Sequence, residues 1–200
     1  MFCHKSTSQK GFTILELVIV ITLIGLLSTI FLVVFKSTIF NYLGLQKQAT
    51  SFGQMSAQAD RIANVLRGAT SVEAAGGNDL TVYAYFYPSD AFVSQVRYYL
   101  TTSNGVKRLY ADLTPMTANP PLGTLETAKK KSLLLIDNFY QPTGKKLFTY
   151  LNANGALLTT PVSDLAVVKT VQISLSTEVD NGGVQDINVQ ILLRNKKNNL

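Results

Sequence analysis

The chain has 200 residues, 46% of them apolar and only 15% charged, with a formal charge of +6. Ordinary soluble domains carry roughly 25% charged residues, and chains that stay disordered are polar and highly charged, so disorder of the whole is excluded. Cys3 and His4 are the only Cys and His; once the N-terminus is removed, a disulfide framework, a Cys or His zinc site and any chemistry that needs a thiol or a His base are excluded with it.

Residues 12–35, FTILELVIVITLIGLLSTIFLVVF, form an almost continuous apolar run broken by one charge, Glu16. A helix of that length crosses the roughly 30 Å hydrocarbon core of a bilayer. The Leu, Ile, Val and Phe residues between Leu17 and Phe35 favour insertion by roughly 5 to 9 kcal/mol, against about 3 kcal/mol for an acidic side chain at the helix centre. Glu16 lies near the end, so insertion wins. Lys5 and Lys10 before the run hold the N-terminus in the cytoplasm and send the C-terminal part out; Lys36 beyond it weakens that bias without reversing it. The run is too long for a cleaved secretory signal, and Leu27-Ser28-Thr29-Ile30 is a poor cleavage site. Cys3 precedes the run, so it does not suit a lipoprotein. A plain anchor leaves Glu16 unexplained, because an ionisable residue in an apolar helix is expected to have a partner.

The stretch Lys10-Gly11-Phe12-Thr13-Ile14-Leu15-Glu16, followed by LVIVITLIG, resembles the N-terminus of type IV prepilins and type II secretion pseudopilins. The resemblance covers about the first thirty residues. It implies that a membrane prepilin peptidase cuts after Gly11 and N-methylates Phe12. It further implies that Glu16 pairs with the N-terminal amine of a neighbouring subunit. Physical chemistry supports that role on its own terms, since a carboxylate in lipid is costly unless paired. The new Phe12 amine would be a cation about one helical turn away, and stacked, offset helices would bring one chain's amine to the next chain's carboxylate. The bland alternative is a Glu favoured at a helix start.

No proline occurs before Pro88, so nothing obliges the helix to stop at the membrane. Apolar positions recur at Phe40, Leu43, Ala49, Phe52, Met55, Ala59, Ile62, Ala63 and Leu66, the stripe of an amphipathic helix. Gly68 after Arg67 is a reasonable stop. A helix over residues 12–67 would measure roughly 84 Å. Gly25 and Gly44, rather than a proline, are the expected points of flexibility.

From about Asp79 the pattern changes to period two. Leu80 to Tyr87 reads as a strand ended by Pro88. Phe92 to Thr101 alternates, and Ser103-Asn104-Gly105 is a turn before Val106 to Leu113. Residues 114–128, with three prolines, read as a loop, and Leu133 to Tyr140 as a strand or a short helix. Two hairpins follow: Lys146–Leu151 with Ala156–Thr160 across Asn152 to Gly155, and Val167–Val179 with Val184–Leu193 across Asp180 to Gly183. The expected fold is therefore α+β, type IV pilin-like: a long N-terminal helix packed on an antiparallel sheet. Its expected parts are a cytoplasmic leader at 1–11, a membrane-spanning half-helix at 12–35, an amphipathic half at 36–68 and an exported sheet domain at 69–200. Val96 to Leu100, Lys107 to Tyr110 and Leu192 to Asn195 are similar to minor pseudopilins of the J or PilW type, which sit at filament tips and start assembly.

Asp180, Asn181 and Asp186 flank a glycine turn and offer oxygen ligands for calcium, although the EF-hand spacing is absent and the same residues suit a hairpin. Lys129, Lys130 and Lys131, the Lys145-Lys146 pair, and Arg194, Lys196 and Lys197 form basic clusters. These suit a DNA backbone or another anion, or else a solvated loop and tail. The aromatic run Tyr83 to Tyr87 places rings on both strand faces, some for the core and some for subunit contacts. No Asp or Glu pair outside the apolar run has acid/base spacing, and no Ser or Thr has a His partner, so no catalysis is expected. No cofactor or resident metal is expected either. The expected function is a structural subunit of a type IV pilus or a type II secretion pseudopilus, as a minor subunit. The alternatives are a major pilin, or a membrane-tethered module of a competence-type pilus that binds DNA or another ligand. Expected partners are other subunits through their N-terminal helices, the prepilin peptidase, the inner-membrane assembly platform and the membrane itself. The expected location is the inner membrane, and an extracytoplasmic filament after assembly. Removing the leader also takes away Lys5 and Lys10, so part of the basic excess is an orientation signal.

Overall fold

The structure is a computed structural model that describes Gly11, residues 13–179 and residues 183–193. It separates into two compact units, Met1–Lys47 and Gln48–Leu200, with the boundary inside one long helix.

That helix, α1 (Ile14–Arg67), begins where a reciprocal cap forms. The Glu16 backbone N–H donates to Thr13 Oγ1 at 3.2 Å, and the Thr13 N–H donates to Glu16 Oε2 at 3.0 Å. Two of the N–H groups that a helix start leaves unpaired are thereby satisfied. Threonine hydroxyls in and just beyond the apolar run turn back on the helix. Thr22 donates to the Val18 and Ile19 carbonyls, Thr29 to Gly25 and Thr38 to Val34, all at 2.8–2.9 Å. Each of these three threonine hydroxyls is thus paired without help from water, as a lipid setting demands. In the first unit every described residue of the run is exposed, its large apolar side chains from Val20 at 43% to Ile14 at 83%. The helix is long and apolar enough to cross a membrane.

In the second unit, Met55, Ala59, Ile62, Ala63, Val65 and Leu66 of α1 are buried. Most of these lie three or four residues apart on one stripe, and the two alanines permit close approach to the strands. The expected stripe therefore holds from Met55 onward, while Phe40, Leu43 and Phe52 stay exposed. The helix ends as Gly68 and Ala69 donate to the Val65 and Leu66 carbonyls, with Arg67 in the last turn.

The strands form two antiparallel sheets rather than one. The first is a meander of β1 (Ser71–Ala75), β2 (Asp79–Ala84), β3 (Ser94–Ser103), β4 (Val106–Pro115) and β5 (Lys131–Ile136), in that spatial order. The second contains β6 (Phe148–Leu151), β7 (Leu157–Leu158), β8 (Thr170–Val179) and β9 (Gly183–Leu192), in the order β7-β6-β8-β9. One apolar cluster unites the helix stripe with both sheets: Leu80, Val82, Val96, Tyr98, Leu109 and Ala111 from the first, and Phe148, Tyr150, Val171, Ile173 and Ile191 from the second. The loop between β1 and β2 ties the sheets together. Tyr150 Oη donates to the Gly76 carbonyl at 2.8 Å, the Phe148 N–H to the Gly77 carbonyl at 2.9 Å, and the Leu147 N–H to Asn78 Oδ1 at 3.3 Å.

Several boundaries differ from expectation. β1 lies ahead of Asp79, where the period-two pattern begins, because Ser71-Val72-Glu73-Ala74-Ala75 holds only one strong β-former. β2 stops at Ala84, short of Tyr87. Asp90 accepts the Tyr87 N–H at 2.9 Å and closes a turn, while Phe86 is buried with the Arg61 guanidinium 4.8 Å from its ring centre. The rings of Tyr85 to Tyr87 therefore leave the sheet to meet the helix and a neighbouring loop. Leu133 to Tyr140, open between strand and helix, contributes its first part to β5. The turn at Asn104-Gly105 takes positive φ at both residues, 52° and 76°, as a two-residue hairpin requires.

Candidate functional site

Of the candidate N-terminal residues, Gly11 and Glu16 are described, while Lys5, Lys10 and Phe12 lie outside the described residues. Gly11 is exposed, and among the described residues a Cβ built on it meets nothing within 4 Å. Glu16 uses one carboxylate oxygen locally: Oε2 accepts from both the N–H and the Oγ1 of Thr13, each at 3.0 Å. Oε1 has no hydrogen bond among the described residues. The cap thus holds the carboxylate at the first turn of α1 with one oxygen left for an outside cation. The signal for this cap, Thr-x-x-Glu, stands in the sequence and accounts for the helix-start reading of Glu16. The two readings do not compete, since each uses a different oxygen. Past Glu16 the apolar surface of α1 is exposed all round, so this end of the helix has a large apolar area to bury and one charged side chain at its start.

The calcium candidates divide. Asp180 and Asn181 lie outside the described residues. Asp186 on β9 sits opposite Ser176 on β8, accepts its Oγ at 2.6 Å, and forms an ion pair with Lys145. Those two partners hold its carboxyl below the usual carboxylate range. Among the described residues no group of three or more His, Cys, Asp or Glu is arranged to hold a metal.

The basic clusters are partly neutralised. Lys129 pairs with Glu126 and Lys130 with Asp112, both at 2.7 Å, leaving Lys131 as the member without an ion pair among the described residues. Lys196 and Lys197 lie outside the described residues. Lys145 and Lys146 border a basin of about 440 Å³ that includes Thr149, Leu158, Gln172 and Ser174. Lys146 Nζ reaches Thr160 Oγ1 at 2.6 Å across it.

A polar centre that the sequence did not announce is Asp112. Its carboxylate is 6% exposed and accepts from Ser132 Oγ at 2.5 Å, Tyr99 Oη at 3.1 Å and Lys130 Nζ at 2.7 Å. Burial pushes its carboxyl up, but the hydrogen bonds from Lys130, Ser132 and Tyr99 outweigh that and hold it below the usual range. Strand pairing assembles the group, since Asp112 lies opposite Ser132 on β5 and Arg97 on β3, and Tyr99 sits two positions beyond Arg97 on the same face. Only the register could have shown it. Beside it, Tyr99 stacks on Tyr110 at 5.9 Å and receives the Arg97 guanidinium at 5.0 Å. The role of this centre is structural, joining β3, β4 and β5.

Residues 6–32 match the family model described as the prokaryotic N-terminal methylation motif, consistent with the type IV prepilin-like family. The motif supports a pilin-like or pseudopilin protein and coincides with the start of α1. No curated protein and no solved structure matches the chain.

Proposed function

We propose that the chain is a structural subunit cut after Gly11, N-methylated on Phe12 and polymerised through its N-terminal helix into a type IV pilus or type II secretion pseudopilus. The observation that carries this reading is the methylation motif at the head of a helix whose apolar surface is exposed on every side. Before assembly, lipid covers that surface. In a filament, neighbouring helices replace the lipid, and the Phe12 amine of one subunit meets the free Oε1 of Glu16 on the next. A buried carboxylate without its cation is strongly disfavoured, so the pair selects one axial offset between helices. The sheet unit then lies outside the membrane, as the positive charges ahead of the apolar run direct.

The likeness of Val96 to Leu100 and Lys107 to Tyr110 to minor pseudopilins supports a tip or initiating subunit. In the fold these residues belong to β3 and β4, centred on the Tyr99–Tyr110 stack. Pairing of Lys129 and Lys130 with acidic neighbours leaves the DNA-binding alternative without a concentrated positive patch among the described residues.

N-terminal mass spectrometry of membrane-extracted protein tests the processing step. An N-methylated Phe12 start is expected, and an intact Met1 in cells that contain the peptidase overturns the reading. Glu16→Ala tests assembly: insertion and cleavage persist, while incorporation into filaments is lost. Normal incorporation of that variant removes the proposed pair.

A further inference from the structure

The two sheets have four edge strands, and three of them are protected. A long, regular, unpaired edge is a template for another strand, and proteins blunt such edges with shortness, bulges, Lys, Pro or covering chain. β1 is five residues long, has a register break between Val72 and Ala74, and receives a hydrogen bond from the Val162 N–H at its Ala75 carbonyl. β5 starts at Lys131 and pairs with β4 across a register break at Leu109/Tyr110. β7 is two residues long. Among the described residues, β9 has none of these devices. It runs ten residues, Gly183–Leu192, in unbroken register with β8, without Lys, Pro or bulge. Its only charge, Asp186, is already paired with Lys145.

The sequence of β9 also fits a reversed copy of itself. With Asn188 opposite Asn188 of a second copy, Ile187 meets Val189, Asp186 meets Gln190 and Val184 meets Leu192. Every residue then faces one of its own parity, so the two sides of the sheet continue in register. The row of Ile187 and Val189, packed on the core, extends into the equivalent row of the second copy. Val184 and Leu192, the two exposed large apolar residues of β9 at 42% and 57%, cover each other on the opposite side. No like charges meet. The residues that follow Leu193, Arg194-Asn195-Lys196-Lys197-Asn198-Asn199, offer no such apolar alternation, so the same edge suits them poorly.

We propose that β9 is a self-pairing edge: two copies of this chain join antiparallel about Asn188 and double the four-stranded sheet. Such a two-fold contact closes on itself, whereas filament growth needs a head-to-tail contact. The β9 pair therefore links two free subunits or two assemblies and is independent of the helix contacts proposed above.

Cysteine crosslinking of the full chain in detergent micelles tests this, in a Cys3→Ser background that leaves no other thiol. Across an antiparallel pair, facing Cα atoms lie about 4.5 to 5.5 Å apart, within disulfide reach. Asn188→Cys should give disulfide-linked dimer under mild oxidation. In Gln190→Cys the two thiols are four positions out of line, about 13 Å along the strand, and the dimer should form at least about tenfold more slowly. The double variant Val184→Cys/Leu192→Cys checks the same register away from the centre and should also crosslink. Val184→Lys on the Asn188→Cys chain should suppress the dimer while leaving the circular dichroism spectrum unchanged. Equal crosslinking at 188 and 190 indicates association through the helices alone and overturns the proposal. So does crosslinking at 188 that appears only when the chain is truncated after Leu193, which assigns the edge to the tail. Crosslinking of 188 to another protein, with none between copies, overturns it as well.

Discussion

Tyr98 and Tyr150 are both large, buried and central to the core, yet removing their hydroxyls should act in opposite directions. Tyr98 is fully buried, and its Oη has no hydrogen-bond partner among the described residues. Burial pushes its phenol pKa up, the mark of a polar group taken from water without full compensation. Tyr150 is equally buried but donates to the Gly76 carbonyl at 2.8 Å. An unpaired buried polar group costs about 1 to 3 kcal/mol, whereas a satisfied neutral hydrogen bond contributes about 0.5 to 1.5 kcal/mol. Tyr98→Phe should therefore raise stability by about 1 kcal/mol, after allowance for the small void the oxygen leaves. Tyr150→Phe should lower it by about 1 kcal/mol and strand the Gly76 carbonyl. The two variants lose the same atom, so their difference of about 2 kcal/mol isolates the hydrogen bond from the ring. Urea unfolding of the full chain in micelles, followed by near-ultraviolet circular dichroism of the tyrosines, measures it; the chain has no Trp to obscure the signal. If Tyr98→Phe destabilises as much as Tyr150→Phe, Tyr98 Oη has a partner and the reasoning fails.

Asp112 and Asp186 have folded-state pKa values held down by their partners, so each adds stability that is complete above the unfolded carboxyl pKa and disappears as pH falls through the folded value. Asp112→Asn should flatten the acid side of the stability profile below about pH 4, and an unchanged profile would show that the carboxylate is not depressed. Lys130→Ala should leave Asp112 with Ser132 and Tyr99 alone and shift the acid limb to higher pH, read from the same titration. Gly123→Ala places a methyl 1.8 Å from the Ala118 carbonyl oxygen, so the 117–124 loop must move. A loss of about 1 to 3 kcal/mol is expected, with faster hydrogen exchange confined to that loop and to Val93, whose N–H is held by Asn119.

The parts legible in advance are those written in local chemistry. Gly11, Phe12 and Glu16 stand at fixed spacing ahead of an apolar run, and the helix follows from that run and from the stripe through Met55 and Leu66. The hairpin turns at Asn104-Gly105 and Asn152 to Gly155 were readable because few residues tolerate their backbone angles. The division into two sheets was not readable, because alternation shows that a segment is a strand without showing its neighbour. β1 was hidden by its alanines, and the end of β2 by aromatics that serve a strand and a loop equally well. The Asp112 group depends on residues 13 and 20 positions away being brought level by strand pairing. No short-range pattern encodes it.

The loop between β1 and β2 has a further consequence, for the order in which the second unit folds. Strands β1 to β5 are neighbours in sequence as well as in space, so each pairs with chain that is already at hand, and β6 to β9 lie similarly close. The Gly76 carbonyl and Asn78 Oδ1, however, meet their donors on Tyr150 and Leu147 across separations of 74 and 69 residues. Closing a loop of that length is slow relative to forming a hairpin. The first sheet therefore waits, with these acceptors facing water, until the second is built. The junction between them is the step that should limit the folding rate, and substitutions at Asn78 should slow folding more than they speed unfolding.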